Sequence, residues 1–338
     1  MQGKYKIVGM AMNGYEIKGA KLNGNEVYNY IDPEYYVEYT IKNIRENDML
    51  TEKDDDGQYL YFPSFSDGYS LVEIRDYGGP GDHRVRKNIE EFSTYELFGE
   101  YTIRIYYPKK TRYVKFGVIN GDLIRGITKL IYIKTDNFTD MSNMFEICCN
   151  LTSVNTSNWN TSNVTNMSNM FEDCHELKEI NLLQFNTRNV TNMENMFSGC
   201  RVLTSLDLSS FDTRNVTRMS RMFSLCYELE SINISSFRTG KLTSVDRMFL
   251  GCGKLKQLDL SKWDVSSVSN MFMCFSGCRT LEILNLSTWN TSSVTRCTQM
   301  LYDVPGTVDL CYDGTNYSEW TLTEEETGFS GTFPWNQE

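Results

Sequence analysis

The sequence predicts an α/β repeat solenoid, leucine-rich-repeat-like with parallel strands plus short helices, preceded by an all-β immunoglobulin-like sandwich. Three observations predict it. The aromatic position of the string M-F-x-x-C recurs with a constant step of 26 residues, at Phe145, Phe171, Phe197, Phe223, Phe249 and Phe275, and Leu301 keeps the step. Cysteine follows at Cys148, Cys174, Cys200, Cys226, Cys252 and Cys278, leucine at Leu151, Leu177, Leu203, Leu229, Leu255 and Leu281, and a second aromatic column runs through Trp159, Phe185, Phe211, Phe237, Trp263 and Trp289. Ahead of the repeat, short alternating, β-branched or aromatic runs are separated by Asp/Gly-rich turns.

Residues 1–34 read as a β-hairpin attachment segment: Asn13-Gly14 and Asn23-Gly24 each supply the pair that a two-residue hairpin needs, and Pro33 closes the piece. Residues 35–120 stay β throughout, with runs starting at Tyr36, Tyr69, Tyr101 and Arg112, and a small sandwich is the simplest arrangement. Residues 121–311 form the solenoid of about seven coils, with an apolar run from Ile127 to Ile133 covering the edge of the first coil. Residues 312–338 are expected to cap the far end. Within one coil, Leu206-Asp207-Leu208-Ser209 has the period of a half-buried strand, while Val216, Met219, Met222, Phe223 and Cys226 fall at spacings of three and four, predicting a short helix with Thr217 as N-cap. A unit this small cannot bury its own apolar edge. Neighbouring coils must therefore stack and pair strands in parallel, and with wider helices outside, the stack bends strands inward.

The 338 residues include 44 acidic and 33 basic side chains, a net charge of -11, which lacks the basic footprint of a nucleic-acid binder. No stretch approaches the roughly 18 apolar residues needed to cross a bilayer, and the N-terminus has no uninterrupted apolar core of a secretion signal, so no membrane insertion is expected. There is no Gly-rich phosphate loop, no G-x-S-x-G elbow and no H-E-x-x-H pair, and the two histidines, His83 and His175, are far apart in sequence. The expectation is a protein that is not an enzyme and carries no cofactor.

The methionines at helical spacing read as core. The cysteine column invites a disulfide or metal reading, because equivalent residues of adjacent coils lie roughly 5 Å apart. A coil-to-coil bond stays open, particularly for the off-column Cys149, Cys274, Cys297 and Cys311. Buried free thiols filling small apolar gaps are the favoured reading. Zinc is disfavoured, since ligands strung along one column cannot close a tetrahedron. Calcium between Asp207 and Asp259 is disfavoured because they sit two coils apart. The outward strand positions Asn181, Asp207, Asn233, Asp259 and Asn285, with Ser209, Ser235, Ser261 and Ser287 beside them, would line the concave face with short hydrogen-bonding groups. Such a face either meets sugar hydroxyls or a protein loop, or serves as a solubilising ladder on an exposed sheet.

The string from Phe197 through Cys200, Leu203, Leu206, Leu208, Phe211, Val216, Met219 and Met222 to Phe223 resembles the BspA-like surface repeat of mycoplasma lipoproteins and gut bacterial adhesins, over about half of the chain. That resemblance implies a right-handed solenoid and a surface adhesion or recognition role, with no catalytic residues. Val72-Glu-Ile74-Arg-Asp76-Tyr-Gly78 followed by Tyr95, Gly99, Tyr101 and Ile103 is similar to the polycystic-kidney-disease (PKD) immunoglobulin-like domain, with Ile74 and Arg75 replacing its usual Trp and Gly. The segment from Ile17 to Tyr28 resembles the start of bacteriophage tail and fibre-associated proteins. The combined expectation is a non-enzymatic adhesion protein of a phage or prophage virion. Residues 1–34 would hold it to other virion proteins, the solenoid would face a host cell-surface glycan or protein, and exposed N-terminal strands leave a homo-oligomer open. Assembly in the host cytoplasm agrees with reduced cysteines. The alternative is a bacterial cell-surface adhesin or lipoprotein of the BspA-like repeat family.

Overall fold

The computed structural model describes residues 20–22, 25–27, 35–42, 64–66, 71–76, 83–86, 100–116, 118–119, 122–123, 127–306, 309–311 and 323–331. The expected turns at Asn13-Gly14 and Asn23-Gly24, and most of the two terminal segments, lie outside them. Strands β1 (Ala20–Leu22) and β2 (Asn25–Val27) pair antiparallel. The next ten strands are β3 (Tyr36–Lys42), β4 (Ser64–Phe65), β5 (Leu71–Asp76), β6 (His83–Arg86), β7 (Glu100–Tyr106), β8 (Val114–Lys115), β9 (Val118–Ile119), β10 (Asp122–Leu123), β11 (Ile127–Ile133) and β12 (Ser153–Val154). Six of them make one sheet in the order β12-β11-β3-β7-β5-β6. The two PKD-like stretches meet there, with Ile74 opposite Ile103 in the β5–β7 pair.

This sheet runs straight into the repeat. β11 pairs antiparallel with β3 on one side and parallel with β12, the strand of the first coil, on the other. Register shifts in the β11–β3 pair, between Ile127 and Lys129 and between Leu130 and Tyr132, break the strand's alternation, and Ile127, Leu130 and Ile133 are buried, joining Val37, Tyr39, Ile103 and Ile105 in a core continuous with that of the coils. Phe116 extends the repeat's aromatic column backwards: its ring stacks on Phe145 at 4.9 Å and 9°, and its N–H donates to the Met144 carbonyl.

Each coil is named here by its member of the phenylalanine column, from Phe145 (coil 1) to Phe275 (coil 6), with Leu301 in coil 7. Strands β13 (Ser205–Asp207), β14 (Ser231–Asn233), β15 (Gln257–Asp259), β16 (Ile283–Asn285) and β17 (Asp309–Cys311) belong to coils 3 to 7. They pair parallel in the register of the repeat, Leu206 with Ile232 and Leu258 with Leu284. The phenylalanines stack through the interior, with centroids 5.4 Å apart for Phe145 and Phe171, 5.6 Å for Phe171 and Phe197, and 6.1 Å for Phe197 and Phe223. Buried hydroxyls stitch one corner. Thr161, Thr187 and Thr213 each donate to a carbonyl of the next coil and accept a backbone N–H from it, which satisfies polar groups that would otherwise be stranded.

The expected short helices are absent; among the described residues the only helix is α1 (Glu324–Thr327). The M-x-x-M-F-x-x-C segment is instead a run of overlapping turns, in which Ser198 N–H bonds Asn195 O and Cys200 N–H bonds Phe197 O. Two residues per coil, four apart, adopt left-handed φ: Asn143 and Ile147, Asn169 and Asp173, Asn195 and Gly199, Arg221 and Leu225, Arg247 and Gly251, Met273 and Gly277, Gln299 and Asp303. A left-handed residue swings the following N–H out of the helical path and toward the next coil. Phe145, Phe171, Phe197, Phe223, Phe249 and Phe275 all donate forward, as do the residues two on either side in most coils. The spacing of three and four that looked helical is the spacing of these turns.

Both ends are covered by substitutes for a coil. Phe116 and Arg112, whose carbonyl accepts from Thr139, take the place of a preceding turn segment. At the other end Leu301 donates to the Thr327 carbonyl, and Thr327 and Phe329 are buried. α1 is fixed by a capping box between Thr323 and Glu326 and by left-handed Gly328 at its C-cap.

Candidate binding face

In a strand, residues two apart share a face, so the positions on either side of each buried strand leucine point outward together. Asn181, Asp207, Asn233 and Asp259 are exposed and Asn285 half-buried; of the serines beside them, Ser209 and Ser235 are exposed, Ser261 and Ser287 half-buried. The structure thus brings the predicted column together on the strand side, and it also gives that column a backbone duty. Each Oδ1 accepts the N–H two residues on, at 3.1 Å for Asn181, 2.9 Å for Asp207, 3.3 Å for Asn233, 3.0 Å for Asp259 and 3.1 Å for Asn285. These are Asx turns that end the strand. The Ser209 N–H and hydroxyl hold the Asp207 carboxyl below the usual carboxylate range, and the Ser261 hydroxyl and N–H do the same to Asp259. Both stay anionic.

The same device recurs at two other corners, where Asn160, Asn186 and Asp264, and Asn166, Asn192 and Asn270, each accept the N–H two residues on. Asx residues are therefore corner pieces in most coils, which explains a column of them without any ligand. The positions missed by the sequence reading lie on the other side of the strand leucine. Ser205, Ser231, Gln257 and Ile283 are exposed, as are Thr204, Glu230, Lys256 and Glu282 just before them. The period of two that selected Asp207 selects Ser205 equally.

The strand ladder is interrupted on this side. The equivalent stretch of coil 2, around Ile180, forms no strand, and β14 and β15 fall in separate sheets. At the first interruption lies an open cleft of ≈ 430 Å³ lined by Lys178, Glu179, Val202, Thr204, Ser205 and Glu228. Leu183, with 53% of its surface exposed, stands two residues beyond Asn181.

The cysteine column is more than filler. Cys174, Cys200, Cys226, Cys252 and Cys278 are free and buried, and each thiol donates to the phenylalanine carbonyl of the preceding coil at 3.1–3.3 Å. Burial pushes the Cys226 and Cys278 thiols up to about 12, so they stay protonated and act as donors. Among the described residues no group of three or more His, Cys, Asp or Glu is arranged to hold a metal ion, and no helix is long and apolar enough to cross a membrane.

Comparison with known proteins adds one finding. The model of a family described as "Mycoplasma protein of unknown function, DUF285" matches residues 128–232 and 226–320. Searches of curated proteins and of solved structures gave no match. The two matched spans together cover more than half of the chain and take in every coil, so the chain belongs to the DUF285 family.

Proposed function

We propose that the chain is a non-enzymatic recognition protein of a bacterial cell surface, a leucine-rich-like solenoid that meets a glycan or protein partner with the strand side of its coils. The carrying observation is the strand-side face itself. Row after row of short polar side chains stands exposed there, while the residues behind them pack into one continuous core. A rigid backing with variable polar outward groups suits recognition of an extended partner. The cleft at Lys178, Ser205 and Glu228 offers both signs of charge beside hydroxyls, which is how a site orients a polyhydroxylated ligand or a polar loop.

The family match favours a bacterial surface protein over a virion component, since the family is described from mycoplasma. The phage reading rests on residues 17–28, of which β1 and β2 alone are described. In either setting the PKD-like part would act as a spacer.

Because the Asx column also shapes the corners, the test uses its neighbours. Ser205→Arg, Ser231→Arg and Gln257→Arg would plant long side chains across the face at exposed positions. Attachment of the full chain to host cells or to a glycan array is expected to fall about tenfold or more, with unchanged thermal unfolding. Full attachment by the triple variant would sink the assignment of this face.

A further inference from the structure

We infer that the turn side of coils 4 to 7 carries a second site, a guanidinium cluster that binds an anionic glycan, one bearing sulfate or phosphate groups. This proposal is independent of the strand-side reading. The chain as a whole is acidic, with a net charge of -11, yet three arginines from separate coils converge here. Arg221 places Nε 3.6 Å from Asp246, and Arg247 donates to both oxygens of the same carboxylate at 3.1 and 3.2 Å. Arg247 and Arg296 then both pack on the ring of Phe272, their guanidinium carbons 4.5 and 4.1 Å from its centroid. One largely buried carboxylate and one ring thus hold three cations. Arg218, three residues before Arg221, lies 3.9 Å from Glu194 at the rim.

The arrangement differs from an ordinary solvated charge run. Scattered surface arginines pair with nearby acids and lose side-chain freedom when they bind. Here Asp246 and Phe272 have already fixed the guanidinium planes of Arg247 and Arg296, while leaving most of their N–H groups unused. Arg296 makes no side-chain hydrogen bond among the described residues, and the 3.6 Å approach of Arg221 Nε to Asp246 is longer than a hydrogen bond. Oriented guanidinium forks match the paired oxygens of sulfate and phosphate, and stacking on an aromatic face suits arginine where it would not suit lysine. Arg221 and Arg247 lie one coil apart, and Arg296 continues the row two coils further on, across the Phe272 ring, so the ligand is a chain with several anionic groups. The acidity of the rest of the molecule disfavours long nucleic acids, whose charge would extend beyond the cluster.

The test measures binding of the full chain to heparin and, separately, to a glycerol-phosphate polymer, at low and at physiological salt. The two arms identify which anion the site prefers, and saturable binding of either supports the site. Arg221→Gln, Arg247→Gln and Arg296→Gln combined should weaken binding about tenfold or more and flatten its salt dependence. Lys254→Gln and Lys262→Gln combined remove exposed positive charge outside the cluster and should leave affinity within about twofold. Should the arginine triple variant fail to fold, Arg296→Gln alone and Phe272→Leu should each still weaken binding several-fold. An equal loss in the lysine variant, no binding at low salt, or single-stranded DNA binding as tightly as heparin would overturn the proposal.

Discussion

The two long sides of each coil solve the stacking problem differently. On the turn side the row at the phenylalanines is unbroken, with forward-pointing N–H groups from every phenylalanine, a continuous ring stack and a thiol donor in almost every coil. On the strand side the ladder stops at coil 2 and again between β14 and β15. Cohesion of the stack therefore rests on the turn side, where little can vary. The strand side is released to vary its outward residues. If that is right, equal insults should cost very different amounts on the two sides.

The largest effect is expected at Phe197, fully buried between Phe171 and Phe223. Phe197→Ala empties a ring-sized hole in the middle of the stack and should cost about 3–5 kcal/mol in urea unfolding. Ile232→Ala on the strand side, where the side chain is only half-buried, should cost about 1 kcal/mol. Similar losses at both positions would erase the asymmetry.

A smaller effect separates filler from donor in the cysteine column. Cys226→Ala removes the thiol that bonds Phe197 O at 3.1 Å and should cost about 1–2 kcal/mol. Cys226→Ser keeps a donor in place and should recover part of that loss. A serine variant no better than alanine would return these residues to the role of apolar filler.

How legible each side was in the sequence follows from its chemistry. The aromatic, cysteine and leucine columns were readable because side chains that stack must recur in strict register. The turn path was misread because Met219, Met222, Phe223 and Cys226 have helical spacing, and spacing alone does not distinguish α-helix from successive turns. The signal was nevertheless present: Asn143, Asn169 and Asn195 form one left-handed column, and Gly199, Gly251 and Gly277 another. Ile147, Leu225 and Met273, which occupy the same columns without any left-handed preference, obscured it. Gly199 has a further reason to be glycine, since a Cβ there would lie 2.1 Å from Asp173 Oδ1. The Asx column was found and its exposure anticipated, but its bond to the backbone two residues on is a turn property that a strand pattern does not report. The guanidinium cluster was invisible because Arg221 and Arg247 share one column while Phe272 and Arg296 belong to two others, and the four meet only once the coils are stacked.

The finest test of the turn side is electrostatic. Stacking places Glu172 of coil 2 over Glu146 of coil 1, and burial, then Glu146, then Asp173 push its carboxyl up to about 7, against a smaller opposing pull from Arg221. A carboxyl whose folded value is raised holds its proton more tightly folded than unfolded, so its contribution is fully present below about pH 4.5 and is lost as pH rises toward 7. The chain should therefore lose stability across that window, and Glu172→Gln should abolish this part of the slope. Since about half of the group meets solvent, screening limits the gain at pH 8 to on the order of 1 kcal/mol. Thermal unfolding of both proteins at pH 5 and pH 8 decides it. A parallel shift at both pH values would mean that Glu172 is ionised throughout, and that the turn side tolerates stacked charge as readily as the strand side does.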